Sequence, residues 1–200
     1  MRDQSIPENS PNIEEAKARS RTRFTEFLLA IPKDLDALDD VIAAQLRREN
    51  SSTKSKLGKI YSLISEVGRA VSPYVACSKG CSDCCKMNVS ISVIEAERLS
   101  VLSRRLMTLV KHPIRHSQEE FSGVPCPFLV DDKCSVYEAR PYACRAHYSF
   151  DTSAYWCHPE RSNKGEMSLL QMSGALQAYN EIVGSSPLRG FADIRDFFPS

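Results

Sequence analysis

Apolar positions recur at helical spacing through the first third of the chain. Phe24, Phe27, Leu28 and Ile31 fall on one helical face, and Pro32 stops that run, because proline has no N–H to donate and its ring clashes with the preceding turn. Leu35, Leu38, Val41, Ile42 and Leu46 mark a second helix, and ENSST at 49–53 reads as a connector. Leu57, Ile60, Tyr61, Ile64, Val67 and Val71 mark a third helix that ends near Pro73. Three amphipathic segments in succession predict an up-and-down helical layer. Residues 1–13 are polar, carry Pro7 and Pro11, and are expected to be disordered.

The pattern changes after residue 76. CSKGCSDCC (77–85) has no periodicity and reads as a loop, and MNVSIS (87–92) alternates like a short strand. Ser92 with Glu95 forms a capping-box signature. The helix it opens is expected to turn Leu99, Leu102, Leu106 and Leu109 inward and to end at His112-Pro113. PFLVDDKCSVY (127–137) reads as two short strands around an Asp-Asp-Lys turn, and Leu169, Met172, Leu176, Tyr179 and Val183 fit a last helix. There is no strand–helix–strand alternation, Gly-rich phosphate loop or internal repeat. The fold class is therefore mainly α with a small β-hairpin element, a cysteine-cluster region braced by helices. The expected divisions are a disordered 1–13, amphipathic helices over 14–75, the cysteine cluster over 76–160, and a C-terminal helix and tail over 161–200.

Charge and composition narrow the function. Apolar residues make up 42% of the chain, enough for a core, and the formal net charge is only +1. Nucleic acid is not expected as a partner, because phosphate binding needs a concentrated basic surface. The opening residues contain no apolar run of the secretory type, and nowhere are there about 18 consecutive apolar residues, so neither export nor a membrane is expected. The expected location is cytoplasmic. That location changes the meaning of the eight cysteines, which in a reducing compartment point to metal or redox chemistry rather than disulfides. All eight lie between 77 and 157, and the first seventy-six residues have none.

A tetrahedral thiolate site needs two or more ligands from one tight turn. Cys77, Cys81 and Cys84 are spaced for that, with Gly80 giving the backbone freedom to wrap. Cys126, Cys134, Cys144 and Cys157 are available to complete it. Eight sulfurs allow two four-thiolate centres or one binuclear centre. Cys84 and Cys85 are neighbours whose side chains point to opposite faces in extended backbone, so they serve two centres or leave one member free. Soft thiolates suit zinc and iron–sulfur clusters alike. The Cys77-x₃-Cys81-x₂-Cys84 spacing also matches a radical S-adenosylmethionine site, but the repeated strand–helix units of that barrel are absent.

CSKGCSDCC, followed by CPFLVDDKCSVYEARPYACR (126–145) and Cys157, closely resembles the YkgJ-type CxxCxxCC family, whose members are described as zinc- or iron-chelating domains. The matched elements are the four-cysteine opening, the Cys-Pro-Phe-Leu segment, Cys-x-Val-Tyr-x-x-Arg-Pro and Cys-Arg. The first gap holds three residues here, where the family's label has two. The resemblance covers roughly residues 77–157 and implies a bound zinc or iron, possibly as an iron–sulfur cluster. The wider family includes flagellin lysine N-methylase. The main reading is a metal-binding protein that presents its centre to a protein partner. The alternative is an iron–sulfur enzyme, either an oxidoreductase or a lysine N-methylase-like methyltransferase; no catalytic residue stands out.

Other side chains have narrower roles. Arg140 and Arg145 flank the Arg-Pro turn and are candidates to hold the cofactor or offset its negative charge, with Lys79, Lys86 and Lys133 as helpers. His147, three residues after Cys144, has ligand-like spacing, and His158 follows Cys157. His112 and His116 read as ordinary surface residues. Asp83, Asp131 and Asp132 read as turn residues. Tyr142, Tyr148, Tyr155 and Trp156 are expected to cover the metal, and the basic stretch Lys17–Arg23 to be a solvated helix face.

Overall fold

The computed structural model describes residues 11–117, 119–162 and 167–199. Most of the N-terminal stretch expected to be disordered lies outside these residues, and Ile13 already opens the first helix. That helix, α1 (Ile13–Ala30), is capped by Asn12, whose side chain accepts from the Glu14 N–H, and it stops two residues before Pro32. α2 (Lys33–Arg48) carries Asp34 and Asp36 in its first turn and Arg47 and Arg48 in its last, matching the helix dipole at both ends. α3 (Thr53–Val71) is capped by the Ser52 hydroxyl. The three boundaries agree with the apolar pattern, although Leu28 faces outward.

β1 (Ser90–Ser92) leads directly into α4 (Val93–Ser103), and both halves of the capping box between Ser92 and Glu95 are present. α4 is shorter than the sequence pattern implies. It ends at Ser103, with Arg104 in the left-handed region; Ser103 Oγ donates back to Leu99 O at 2.7 Å, Ser100 Oγ reaches past the end to Arg105 O at 2.6 Å, and the chain beyond is drawn onto the C-terminal segment by Thr108 N–H to Phe197 O. Leu99 is buried, but Leu102, Leu106 and Leu109 are 56%, 95% and 47% exposed and do not form an inner face. β2 (Leu129–Val130) and β3 (Lys133–Cys134) form the expected hairpin. Its two turn residues, Asp131 and Asp132, both have positive φ, as a two-residue turn between twisted strands requires.

The chain then forms α5 (Tyr142–Arg145), α6 (Ser173–Gly184), β4 (Phe191–Asp193) and α7 (Ile194–Phe197). Leu169 lies before α6 and is exposed, so the buried face of that helix is Ala175, Ala178, Tyr179 and Ile182. α6 packs on α2 and α3. Asp39 of α2 accepts from the N–H groups of Gly174 and Ala175 at 3.1 and 2.8 Å, capping α6 from outside. A Cβ at position 174 would stand 1.6 Å from Asp39 O, so only glycine permits this approach. β4 pairs antiparallel with β1, Ile91 opposite Ala192, and so joins the chain's end to its middle.

Two apolar cores result. The first gathers α1, α2, α3 and α6 with Tyr142, Tyr148 and Phe150. The second gathers Val89, Ile91, Val93, Ala96, Leu99 and Phe128 with Ala192, Ile194, Phe197 and Phe198. Glu95, 1% exposed, stands between them. Its carboxylate accepts from Tyr61 Oη at 2.6 Å, Tyr179 Oη at 2.5 Å, the Tyr142 N–H at 2.7 Å, and the Ser92 N–H and hydroxyl at 3.0 Å each. One side chain thereby ties α3, α4, α5 and α6 together.

Candidate metal centre

The cysteine segments are short and irregular, so backbone hydrogen bonds between them decide where the sulfurs sit. The Cys126 N–H donates to Cys85 O at 2.7 Å, and the Gly123 N–H to Lys86 O at 2.8 Å, laying the 123–126 strand of chain beside the four-cysteine loop. The Ala76 N–H donates to Ser149 O at 2.9 Å and the Ser149 N–H to Cys77 Sγ at 3.2 Å, drawing the 147–149 segment to the loop's other end. Gly80 has φ of +102°, which lets the loop turn between Cys77 and Cys81. Cys84 and Cys85 lie in a single turn of 3₁₀ helix, Asp83–Lys86. Cys134 ends the hairpin and Cys144 lies within α5, whose first N–H is held by Glu95.

Seven of the eight cysteines, Cys77, Cys81, Cys84, Cys85, Cys126, Cys134 and Cys144, line one cavity of about 470 Å³. Cys157 does not line it. It lies beside the same group, its thiol pushed up to about 11 by burial and by the thiols of Cys77, Cys81 and Cys84. All eight are free thiols and half-buried. Among the described residues no three His, Cys, Asp or Glu side chains stand close enough together to hold an ion already. Cys77, Cys81 and Cys84 thus share a cavity wall without forming a preassembled tetrahedron. Protonated thiols attract one another only weakly, so backbone geometry brings them to a wall, and an ion, if bound there, would have to draw the set closer.

Burial is the main force on most of these thiols. It raises Cys77, Cys81 and Cys134, raises Cys126 to about 11, and raises Cys144 strongly, where the thiols of Cys84, Cys126 and Cys134 add to it. Cys84 is raised first by its hydrogen bond with Cys85 and then by burial. The electrostatic partners show two neighbourhoods meeting at Cys84: Cys77, Cys81 and Cys157 on one side, Cys134 and Cys144 on the other. A metal entering the cavity has protons to displace.

Arg140 opposes these shifts, its positive charge lowering Cys77, Cys84, Cys134 and Cys144. Its Nε donates to Tyr137 O at 2.9 Å, and its guanidinium lies 3.6 Å from the centre of the Tyr137 ring. Arg145 also lines the cavity, but its guanidinium is engaged by Arg140 O at 2.6 Å, Ser65 Oγ at 3.1 Å, Glu138 O and the Tyr61 ring. It braces the turn that carries Cys144. Lys79 and Lys86 pair with Glu138 and Asp132 at 3.2 and 3.0 Å. His147 is among the residues lining the cavity, and its carbonyl faces Cys77 Sγ at 3.9 Å. Tyr148 lines the cavity too, and buried Trp156, next to Cys157, has an Nε1–H without a partner among the described residues.

Sequence reasoning missed Arg195. From α7 it donates to Met87 O at 3.2 Å, Pro125 O at 3.3 Å, Cys85 O at 3.4 Å and Val124 O, while pairing with buried Asp193 at 2.8 Å. It fastens together the two segments that deliver Cys85 and Cys126. No local signal marks it, because its partners are backbone carbonyls about seventy and more than one hundred positions away. Likewise Lys17–Arg23 is not simply solvated. Arg19 pairs with buried Asp151 at 2.7 Å, and Arg23 donates to Pro73 O and Tyr74 O.

A largely helical fold that brings thiols from four separate segments to one cavity wall has the donor set of a soft-metal chelator. Residues 76–160 match the model of the CxxCxxCC family, described as "Putative zinc- or iron-chelating domain". No curated protein and no solved structure matches the chain. Among the described residues no helix is long and apolar enough to cross a membrane.

Proposed function

We propose that this protein binds zinc or iron through the thiolates of the 76–160 region, with the iron held as an ion or as an iron–sulfur cluster. One observation carries the reading: cysteines as far apart in sequence as 77 and 144 line a single cavity. Thiolate is the ligand that both metals accept, and the donor chemistry of the wall therefore fits either. Cys77, Cys81, Cys84, Cys85, Cys126, Cys134 and Cys144 are the proposed ligands, with Cys157 completing the Cys77 side. Arg140 offsets the negative charge that a four-thiolate centre accumulates, and Arg145 holds the turn. When bound, the metal supplies a closed structural centre or a redox centre.

Anaerobic purification followed by metal analysis and a visible spectrum tests this. Stoichiometric zinc or iron supports it, and broad absorption from sulfide-to-iron charge transfer assigns the cluster form. Cys84→Ser and Cys144→Ser should each abolish stoichiometric binding, since a hydroxyl is a poor soft ligand. A full complement of metal in both variants would overturn the ligand set, and protein free of metal under all these conditions would overturn the function.

A further inference from the structure

The longest acid-free basic run of the chain coincides with its most exposed leucines. From Arg98 to Ser117 there are five cations (Arg98, Arg104, Arg105, Lys111 and Arg115) and no carboxylate. Arg104, Lys111 and Arg115 are exposed and make no ion pair among the described residues. Leu106 and Leu109 face solvent between them, with Val101 and Leu102 just before and Ile114 just after. Single exposed apolar residues are ordinary, but this succession along one short stretch is not.

The stretch has no regular helix or strand, bends at His112, and is fastened from behind. The Thr108 N–H donates to Phe197 O at 2.8 Å and the Ile114 N–H to Phe191 O at 2.9 Å. Between them Val110 is buried, and its carbonyl lies so close to Gly190 that a Cβ there would stand 1.9 Å away. The N–H groups of Leu106, Met107, Leu109, Lys111 and His112 have no partner among the described residues. Fixed backbone with free donors, apolar side chains and uncompensated positive charge is what an added extended segment pairs with.

We infer that residues 104–113 are a docking edge for an extended acidic segment of a partner protein, with carboxylates for the cations and apolar side chains for Leu106 and Leu109. Charge selects the acidic character. The unpaired backbone selects a peptide over an anionic bilayer, because N–H and C=O groups carried into lipid lose their water without gaining a partner. The edge is physically joined to the cysteine region, since Arg105 donates to Pro127 O and lies over the Phe128 ring, 5.2 Å from its centre.

The test uses the full metal-loaded chain and three probes: a fluorescein-labelled peptide alternating glutamate with leucine and valine, its glutamine counterpart, and phosphatidylserine-containing vesicles. The expected result is salt-sensitive binding of the glutamate peptide, about 10-fold or more weakened in the glutamine peptide, with slowed hydrogen exchange of the amides at 106–112. Leu106→Asp combined with Leu109→Asp, and separately Lys111→Glu combined with Arg115→Glu, should each weaken binding at least about 10-fold while leaving circular dichroism unchanged. All four side chains are exposed, so loss of binding in both folded variants reports on the edge itself. Absence of glutamate-peptide binding, equal binding of the glutamine peptide, vesicle binding in its place, or undiminished binding by both variants would overturn the inference.

Discussion

Replacing Glu95 with glutamine changes one atom of the side chain and tests whether a single buried carboxylate holds the two cores together. Oε1 accepts from the Tyr142 N–H and Tyr61 Oη, and Oε2 from the Ser92 N–H, Ser92 Oγ and Tyr179 Oη. The amide NH₂ of Glu95→Gln has to take one of those two places. The hydroxyls can rotate to accept from it, but a backbone N–H faces it on either side and cannot. One buried N–H is therefore left unsatisfied, which costs about 1–3 kcal/mol. The remaining bonds fall from the charge-assisted range of about 1.5–3 kcal/mol towards the neutral range of about 0.5–1.5 kcal/mol. Burial and then the Glu95 charge push both phenols above the ordinary tyrosine range, so they remain donors to the native carboxylate. The combined loss is about 4 kcal/mol, equivalent to a melting shift of about 8–16 °C for a chain of this size. Urea unfolding of metal-free protein followed by circular dichroism measures it. Tyr61→Phe removes one donor and leaves the acceptor intact, so about 1–2 kcal/mol is expected there, and the double variant should be less than additive. A Glu95→Gln protein within about 0.5 kcal/mol of the wild type would refute the reasoning.

The imidazole of His116 has Glu120 Oε1 at 2.7 Å from Nδ1 and Asp196 Oδ2 at 2.8 Å from Nε2, an arrangement that the doubly protonated ring satisfies. Asp196 and then Glu120 raise its pKa above the ordinary value, so its contribution is complete below that ordinary value and is lost as pH rises through the raised one. Melting curves across that window should fall with rising pH in the wild type and flatten in His116→Gln; equal slopes contradict the assignment. Gly174→Ala forces a Cβ into Asp39 O and should destabilise the α2–α6 contact by about 2 kcal/mol or more, read by urea unfolding. Arg19→Ala leaves the buried Asp151 carboxylate, among the described residues, with only the Thr152 N–H and hydroxyl, and about 1–3 kcal/mol of stability should go, with no change expected if Asp151 has no need of the guanidinium. Metal removal by chelation should raise proteolytic cleavage within 77–157 while the α1–α3 and α6 ellipticity largely persists; complete loss of helix contradicts this.

Local signals were legible wherever neighbours in sequence decide the structure. Pro32 and Ser92 mark helix boundaries that are found where their chemistry puts them, and Asp131-Asp132 makes the turn of the hairpin. Elements decided at long range were not legible. β4 has only three residues and exists by pairing with β1 about one hundred positions earlier, and α4 stops because the segment after it is drawn onto α7 and β4. The leucine spacing at 99, 102, 106 and 109 looks helical, yet tertiary hydrogen bonds override it. His116 is half-buried between carboxylates rather than an ordinary surface residue, since one of them arrives from position 196. For the site, the list of cysteines came from the sequence, whereas their sharing of one cavity, the lateral place of Cys157 and the clamp made by Arg195 depend on how distant segments pair.

The cavity lies on the seam between the two cores, and that location bears on what a metal does for the protein. Ile64, Val75 and Tyr148 line it from the helical core, and Val89, Phe128 and Ile194 line it from the sheet-associated core. Cys77 is held by the 147–149 segment on the first side, and Cys126 and Cys144 pack against the second. Away from the cavity, the cores are joined at Glu95, through hydrogen bonds to tyrosines of the first core and to Ser92, ahead of α4, on the second. On the proposed function, thiolates gathered onto one centre from both walls would add links across that seam, where apolar contact is interrupted by the cavity itself. Such a centre would stabilise the junction of the cores more than either core alone, because each core already buries its own aromatic and aliphatic side chains. Arg140, whose charge lowers Cys77, Cys84, Cys134 and Cys144, has its Nε fixed to Tyr137 O and its face on the Tyr137 ring, so under the proposed function the charge compensation would be oriented in advance of the metal.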